Sequence, residues 1–216
     1  MSRPLELVRG LHNLRPEHRG CVATIGNYDG VHRGHQHVLA RTRELAEGND
    51  LVVVTFDPHP MAVVRPDREP RKLTTLERRV ELLREHGADE VHVLAFSEEM
   101  SGWSPAEFVE RVLVEQLMSS AVVVGEKFRF GHKAAGDVAY LTGEGERHGF
   151  TAVGLALVGD GEVLSSTRAR TTATPWYAAQ LAFAWTVASA SDSTARTRPV
   201  GPTASASAAV KTPTPL

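Results

Sequence analysis

A single cysteine, Cys21, stands in a chain of 216 residues. One thiol can build neither a disulfide framework nor a multi-cysteine zinc site. Aromatic residues are few, at 6%, so the position of each carries information. No apolar run approaches the ~20 residues that a membrane helix needs, and the opening MSRPLELVRG lacks the apolar stretch of a secretory signal. Neither sign of charge dominates. Lys and Arg number 24 against 26 Asp and Glu, a net charge of -2 that generates no field for gathering nucleic acid. These absences leave a soluble, reduced, cytoplasmic protein as the expectation, with neither membrane nor nucleic acid as a partner. Oligomeric state is not readable from composition.

What is present is an alternation. Short β-branched runs fall at Cys21–Ile25, Leu51–Phe56, Val91–Phe96, Ala121–Val124 and Ala152–Val158. Continuous apolar runs of this length suit strands buried on both faces, as in a parallel sheet. Between them lie helical patterns. Ser104-Pro105-Ala106-Glu107 has a cap residue, Pro at the first helical position and Glu three residues after the cap. Phe108, Val109, Val112, Leu113 and Leu117 then supply an apolar face. Thr74-Thr75-Leu76-Glu77 reads as a second capping box, with Leu76, Val80 and Leu83 on one face and Gly87 as the stop. Strands alternating with helices predict an α/β fold, a doubly wound Rossmann-like parallel sheet over residues 1–170. After Arg170 the composition shifts to Ala, Thr, Ser and Pro. Residues 171–216 are expected to be a low-complexity and mostly disordered tail, too poor in apolar surface to offset its ordering entropy.

The most informative segment joins the first long strand to the first helix: Gly26-Asn27-Tyr28-Asp29-Gly30-Val31-His32-Arg33-Gly34-His35. Ligands of open α/β sheets bind at this carboxyl edge. Gly26 and Gly30 permit tight turns and close backbone approach. His32 and His35, three apart, share a face at the positive end of a helix, where phosphate binds. Two imidazole donors there can grip a triphosphate and stabilise charge on a departing pyrophosphate. Gly34 leaves room for a flat base. A metal site is poorly supported, because the pair has no third ligand nearby.

This segment resembles the signature of the bacterial bifunctional riboflavin kinase/FAD synthetase family, and its His-x-Gly-His core resembles that of the wider nucleotidylyltransferase superfamily. Thr55-Phe56-Asp57-Pro58-His59-Pro60 resembles the family's flavin-side loop. Val124-Gly125-Glu126-Lys127-Phe128-Arg129-Phe130-Gly131 resembles its second substrate loop, and Leu164-Ser165-Ser166-Thr167-Arg168-Ala169-Arg170 its second nucleotide signature. The resemblance covers residues 20–170, the FMN adenylyltransferase module, and implies transfer of AMP from ATP to FMN to give FAD and pyrophosphate, with Mg2+ accompanying ATP. It implies catalytic roles for His32, His35, Ser166, Thr167 and Arg170. ATP would be held by Gly26, Asn27, Tyr28, Asp29, Gly34 and Arg168. FMN would be held by Phe56, Asp57, Pro58, His59, Pro60, Lys127, Phe128 and Arg129, with Phe130 offering further flat surface.

Two departures bear on this expectation. The family usually carries Asn or Asp where Lys127 stands, so a long cation replaces a short hydrogen-bonding group. The resemblance also ends at Arg170, where the family continues into a riboflavin kinase module. The kinase activity is therefore expected to be absent. The alternative expectation is a catalytically impaired remnant that binds flavin or nucleotide.

Overall fold

The computed structural model describes residues 6–9, 20–156, 158–159 and 162–163. All lie in the first of two units into which the chain divides, Met1–Thr172 and Ala173–Leu216. The segment 171–216, and with it the expected tail, falls outside the described residues.

Six strands form one parallel sheet: β1 (Glu6–Arg9), β2 (Val22–Ile25), β3 (Leu51–Phe56), β4 (Glu90–Leu94), β5 (Ala121–Gly125) and β6 (Thr151–Leu155). Their order across the sheet is β1-β4-β3-β2-β5-β6. β7 (Val158–Gly159) and β8 (Glu162–Val163) pair separately as a short antiparallel ladder. The helices are α1 (Arg33–Ala46), α2 (Pro60–Val64), α3 (Leu76–Glu85), α4 (Glu98–Ser101), α5 (Pro105–Phe108) and α6 (Val138–His148). Among the described residues no helix is long and apolar enough to cross a membrane.

Both faces of the central strands are covered, as their unbroken apolar runs require. Side chains alternate along each strand. Cys21, Ala23, Ile25, Val52, Val54, Val122 and Val124 point into one core, with Phe108, Val109, Val112, Leu113 and Leu141 from α5, the segment after it, and α6. Leu51, Val53, Val91 and Val93 point the other way, against Leu39 of α1 and Val80 and Leu83 of α3. The expected doubly wound arrangement is thus realised. β1 was not legible among the apolar runs, because Glu6-Leu7-Val8-Arg9 offers only two apolar residues. Its pairing with β4 extends the sheet by one edge strand.

The capping expectations divide. Ser104 and Glu107 form the full reciprocal box, each side chain accepting from the other's backbone N–H. Beyond α5 the helix widens into a π-helical stretch, Val109–Gln116. There the Leu117 N–H reaches the Val112 carbonyl at 3.0 Å, five residues back. The wider turn keeps Phe108, Val112 or Leu113, and Leu117 in one buried row. At α3 the expected Thr74–Glu77 box is corrected: Thr75 is the cap, accepting from the Arg78 N–H at 3.2 Å. Thr74 is drawn away by Asp29, as described below. Gly87 does end α3, with the Ala88 N–H on the Leu83 carbonyl and the Gly87 N–H on the Arg84 carbonyl, the paired bonds of a Schellman stop.

Trp103, His92 and Cys21 are packing residues of the interior. Trp103 is buried in the core with the Arg111 guanidinium 4.6 Å above its ring. His92 is buried on β4 and hydrogen-bonded to Glu90. Cys21 is buried, and desolvation pushes its thiol pKa up to about 12.

Candidate active site

The chain leaves β2, winds outward through β3 and β4 on one side, then returns past β2 to β5 and β6 on the other. The order reverses between β2 and β5, and it is at the carboxyl ends of strands at such a reversal that doubly wound sheets take ligands. The loops that leave these two strand ends are 26–32, inside the first segment singled out above, and 126–137, which overlaps the second substrate loop at Glu126–Gly131.

The first loop is a strained turn held from three sides. Tyr28, Gly30 and Val31 all have positive φ, at 49°, 75° and 37°. For a β-branched residue such as Val31 this is a costly conformation that only surrounding structure can hold. The Val31 N–H reaches the Tyr28 carbonyl at 3.1 Å, and the Val31 carbonyl accepts from Gln36 Nε2 at 2.9 Å. Tyr28 is buried, its hydroxyl 2.6 Å from Thr24 Oγ1, and burial raises its pKa. Gly26 lies against the Tyr28 ring, where a Cβ would come within 3.1 Å of Cε2.

Asp29 supplies the third hold. Buried at 2% exposure, its carboxylate accepts from the Leu73 N–H at 3.0 Å, the Thr74 N–H at 3.0 Å and Thr74 Oγ1 at 3.2 Å. Thr74 Oγ1 accepts in turn from the Gly30 N–H at 3.1 Å. Asp29 therefore brackets the β2 loop to the segment that leads into α3.

His32 follows as the N-cap of α1 and contributes no side-chain cap. His35 sits one turn in. The two rings stack with centroids 3.7 Å apart and planes 21° off parallel, and Tyr28 lies 4.8 Å from His35 on a tilted plane. The spacing that suggested a shared face thus produces a stacked pair at the positive end of a 14-residue helix. Gly34 is buried between them.

On the β3 side, Phe56 meets Phe96 edge to face at 5.7 Å, and Phe108 links it to Phe130. Phe128 stacks on Phe130 at 5.4 Å. Phe130 is buried in the core, whereas Phe56, Phe96 and Phe128 are only half-buried. Asp57 and Pro58 begin the loop, and Asp57 lies 3.7 Å from Lys72. His59 caps α2, its Nδ1 accepting from the Met61 N–H at 3.1 Å, and Pro60 is the first helical residue.

On the β5 side, Glu126, Lys127, Arg129, Asp137, Val138 and Ala139 line a cleft of about 440 Å³. Lys127 is exposed there. Arg129 is ion-paired with Asp137, the N-cap of α6, at 3.1 Å. Ser166, Thr167, Arg168 and Arg170 lie outside the described residues.

Three residues were not read in the sequence as contributors to this region: Phe96, Thr74 and Arg79. Arg79 carried a signal. It falls at i+3 in the stripe Leu76, Val80, Leu83, where a charge marks a buried cation. It is 3% exposed, with Nη1 donating to Thr55 Oγ1 at 3.3 Å and to the Phe56 carbonyl at 3.0 Å.

A six-stranded parallel sheet whose strand order reverses between β2 and β5 defines an α/β protein of the nucleotidylyltransferase fold. Solved structures share that fold: a chain titled macrolide-efflux protein from Streptococcus pneumoniae (20% identity, TM-score 0.66, 77% of this chain and 55% of that one), and pantoate-beta-alanine ligase from Francisella tularensis (12% identity, TM-score 0.52, 76% of this chain and 72% of that one). A family profile described as FAD synthetase matches residues 14–168. The bifunctional riboflavin kinase/FMN adenylyltransferase of Pseudomonas fluorescens is 47% identical over 169 residues, 77% of this chain and 54% of that protein. The chain belongs to the FAD synthetase family, and it spans about half the length of the curated relatives it matches.

Proposed function

We propose that the chain transfers the adenylyl group of ATP to FMN. A phosphate oxygen of FMN attacks the α-phosphorus of ATP, the bond to the β-phosphate's bridging oxygen breaks, and FAD and pyrophosphate leave. The FMN phosphate is already anionic, so no protein base is needed to generate the nucleophile. The chemistry then rests on alignment and on charge stabilisation. The observation that carries the reading is the stacked His32–His35 pair at the start of α1. In this reading the two imidazoles face the triphosphate and stabilise charge on the departing pyrophosphate at the positive end of the helix. Magnesium enters with ATP as its complex.

Gly26, Asn27, Tyr28, Asp29 and Gly34 would shape the nucleotide side of the site. Ser166, Thr167, Arg168 and Arg170 would add hydroxyl and guanidinium contacts to phosphate. The half-buried faces of Phe56 and Phe128 would take the isoalloxazine ring, with Asp57, Pro58, His59 and Pro60 forming its loop. Lys127 and Arg129 would meet the FMN phosphate. A second reading, binding of flavin and nucleotide with little turnover, rests on Lys127, which replaces the family's short hydrogen-bonding residue at the cleft.

The deciding experiment incubates the purified chain with FMN, ATP and magnesium and follows FAD by chromatography, with riboflavin as a parallel substrate. FAD from FMN supports the first reading. Binding of both ligands without FAD supports the second. Conversion of riboflavin to FMN would overturn the expectation that kinase activity is absent.

A further inference from the structure

Gln36 follows directly on His35 in the first turn of α1. It makes two hydrogen bonds back toward the β2 loop. Its backbone N–H donates to the His32 carbonyl at 3.0 Å, the bond that opens the helical ladder. Its side-chain Nε2 donates to the Val31 carbonyl at 2.9 Å. Those two carbonyls belong to the peptide planes on either side of the His32 Cα. The rotations of these planes are the two soft dihedrals of His32, here φ -66° and ψ 170°. One residue therefore holds both. The hold matters because of what precedes it. Val31 is buried and β-branched, with φ at 37°, a costly conformation for such a side chain. Released from the Gln36 amide, the Val31–His32 peptide can relax toward negative φ at Val31, and His32 turns with it.

Resting on the proposed function, we propose that Gln36 is a positioning residue of the histidine pair. It fixes the backbone of His32 from a place beside His35, and so keeps the two imidazoles stacked at 3.7 Å and aimed at one phosphate chain. The ring of His32 hangs beyond Cβ, so a modest rotation of either peptide plane carries it off its partner. A misplacement of about 1 Å in a catalytic site can cost about 10²-fold in rate. Gln36 acts through the histidines and needs no contact with the substrate. A methionine at this position would fill nearly the same space and serve the helix equally well. What it lacks is the amide that donates to the Val31 carbonyl.

The test compares the full parent chain with Q36M, V31G and Q36M/V31G. It reads steady-state FAD formation and the Hε1 proton resonances of His32 and His35, assigned by the signal lost in H32A or H35A. In the parent these protons carry the ring-current shift of a stacked neighbour. Q36M is expected to move both toward the position of an unstacked imidazole. It should lower kcat about tenfold and leave KM for ATP within about threefold, because the pair acts on charge that develops as pyrophosphate departs. Glycine adopts positive φ without strain, so the turn in V31G no longer needs the amide. Adding Q36M to V31G should therefore cost less than about threefold in kcat. V31A, which lacks the β-branch, carries the same comparison if V31G does not fold. A Gln36 that merely stabilises the helix lowers the urea midpoint and leaves the resonances and kcat of folded Q36M at parent values. That result overturns the proposal, as does an equal loss of kcat with and without V31G, a rise in KM at unchanged kcat, or failure of Q36M to fold where the parent folds. FAD formation by the parent is read separately: a parent that makes no FAD sinks the adenylyl-transfer reading, and the Q36M resonances still decide the role of Gln36.

Discussion

Replacing Asp29 with Ala removes the acceptor at the centre of the first loop's support. Three donors lose their partner: the Leu73 N–H, the Thr74 N–H and the Thr74 hydroxyl, at 3.0–3.2 Å. Hydrogen bonds to a charged group contribute about 1.5–3 kcal/mol each. The three share one carboxylate and are not additive, and water entering the space left behind recovers part of the loss. The balance is about 3–4 kcal/mol. With a urea dependence of about 2 kcal/mol per molar, the midpoint falls by about 1.5–2 M. Unfolding followed by far-UV circular dichroism measures this directly. Asp29→Asn, which keeps one acceptor oxygen, should lose about half as much. A loss below about 1 kcal/mol for Asp29→Ala would refute the claim that this carboxylate brackets the strained turn to the start of α3.

The other expectations concern chemistry and pH. His35→Ala should lower FAD formation by about 10²–10³-fold, the range for removing a charge-stabilising donor, while leaving the chain folded; single-turnover rates that fall less than tenfold count against the stacked pair. Lys127→Asn should raise FAD formation by about tenfold, as restoring a missing polar partner is worth ~1–3 kcal/mol, and an unchanged rate removes the argument for impaired turnover. Cys21 has its folded pKa raised from an ordinary 9.0 to about 12 by burial. Its protonated form is the one the fold favours, so the associated stability is fully present below about pH 9 and is lost as pH rises toward 12. Native chain should therefore resist a thiol reagent at pH 8 that labels the urea-unfolded chain rapidly, and Cys21→Ala should flatten the stability profile above pH 9. Equal labelling of both states would exclude a buried, inert thiol.

Much of the site was legible because its residues are contiguous. The loop 26–35 carries its own turn glycines and both histidines within ten positions, so the strand-to-helix junction and the shared face followed from local rules. Ser104 and Glu107 were equally local. Thr74 was misread for the opposite reason. Its hydroxyl and backbone satisfy Asp29, 45 positions earlier, and the capping role passed to Thr75. Phe96 escaped notice because only the fold brings it edge-on to Phe56. The resemblance assigned Arg129 to FMN, and what the spacing could not show is its pairing with Asp137, eight positions on at the start of α6.

Hydrophobic period and turn chemistry by themselves determined the parallel α/β class, the five long strand runs and the His32–His35 loop, since each depends on residues a few positions apart. Tertiary structure decided the order β1-β4-β3-β2-β5-β6, and with it which loops leave the carboxyl edge where that order reverses. It also decided that Asp29 and Arg79 support those loops from beneath. A buried charge finds its partners by burial and distance across the fold, and neither is written in the spacing of residues along the chain.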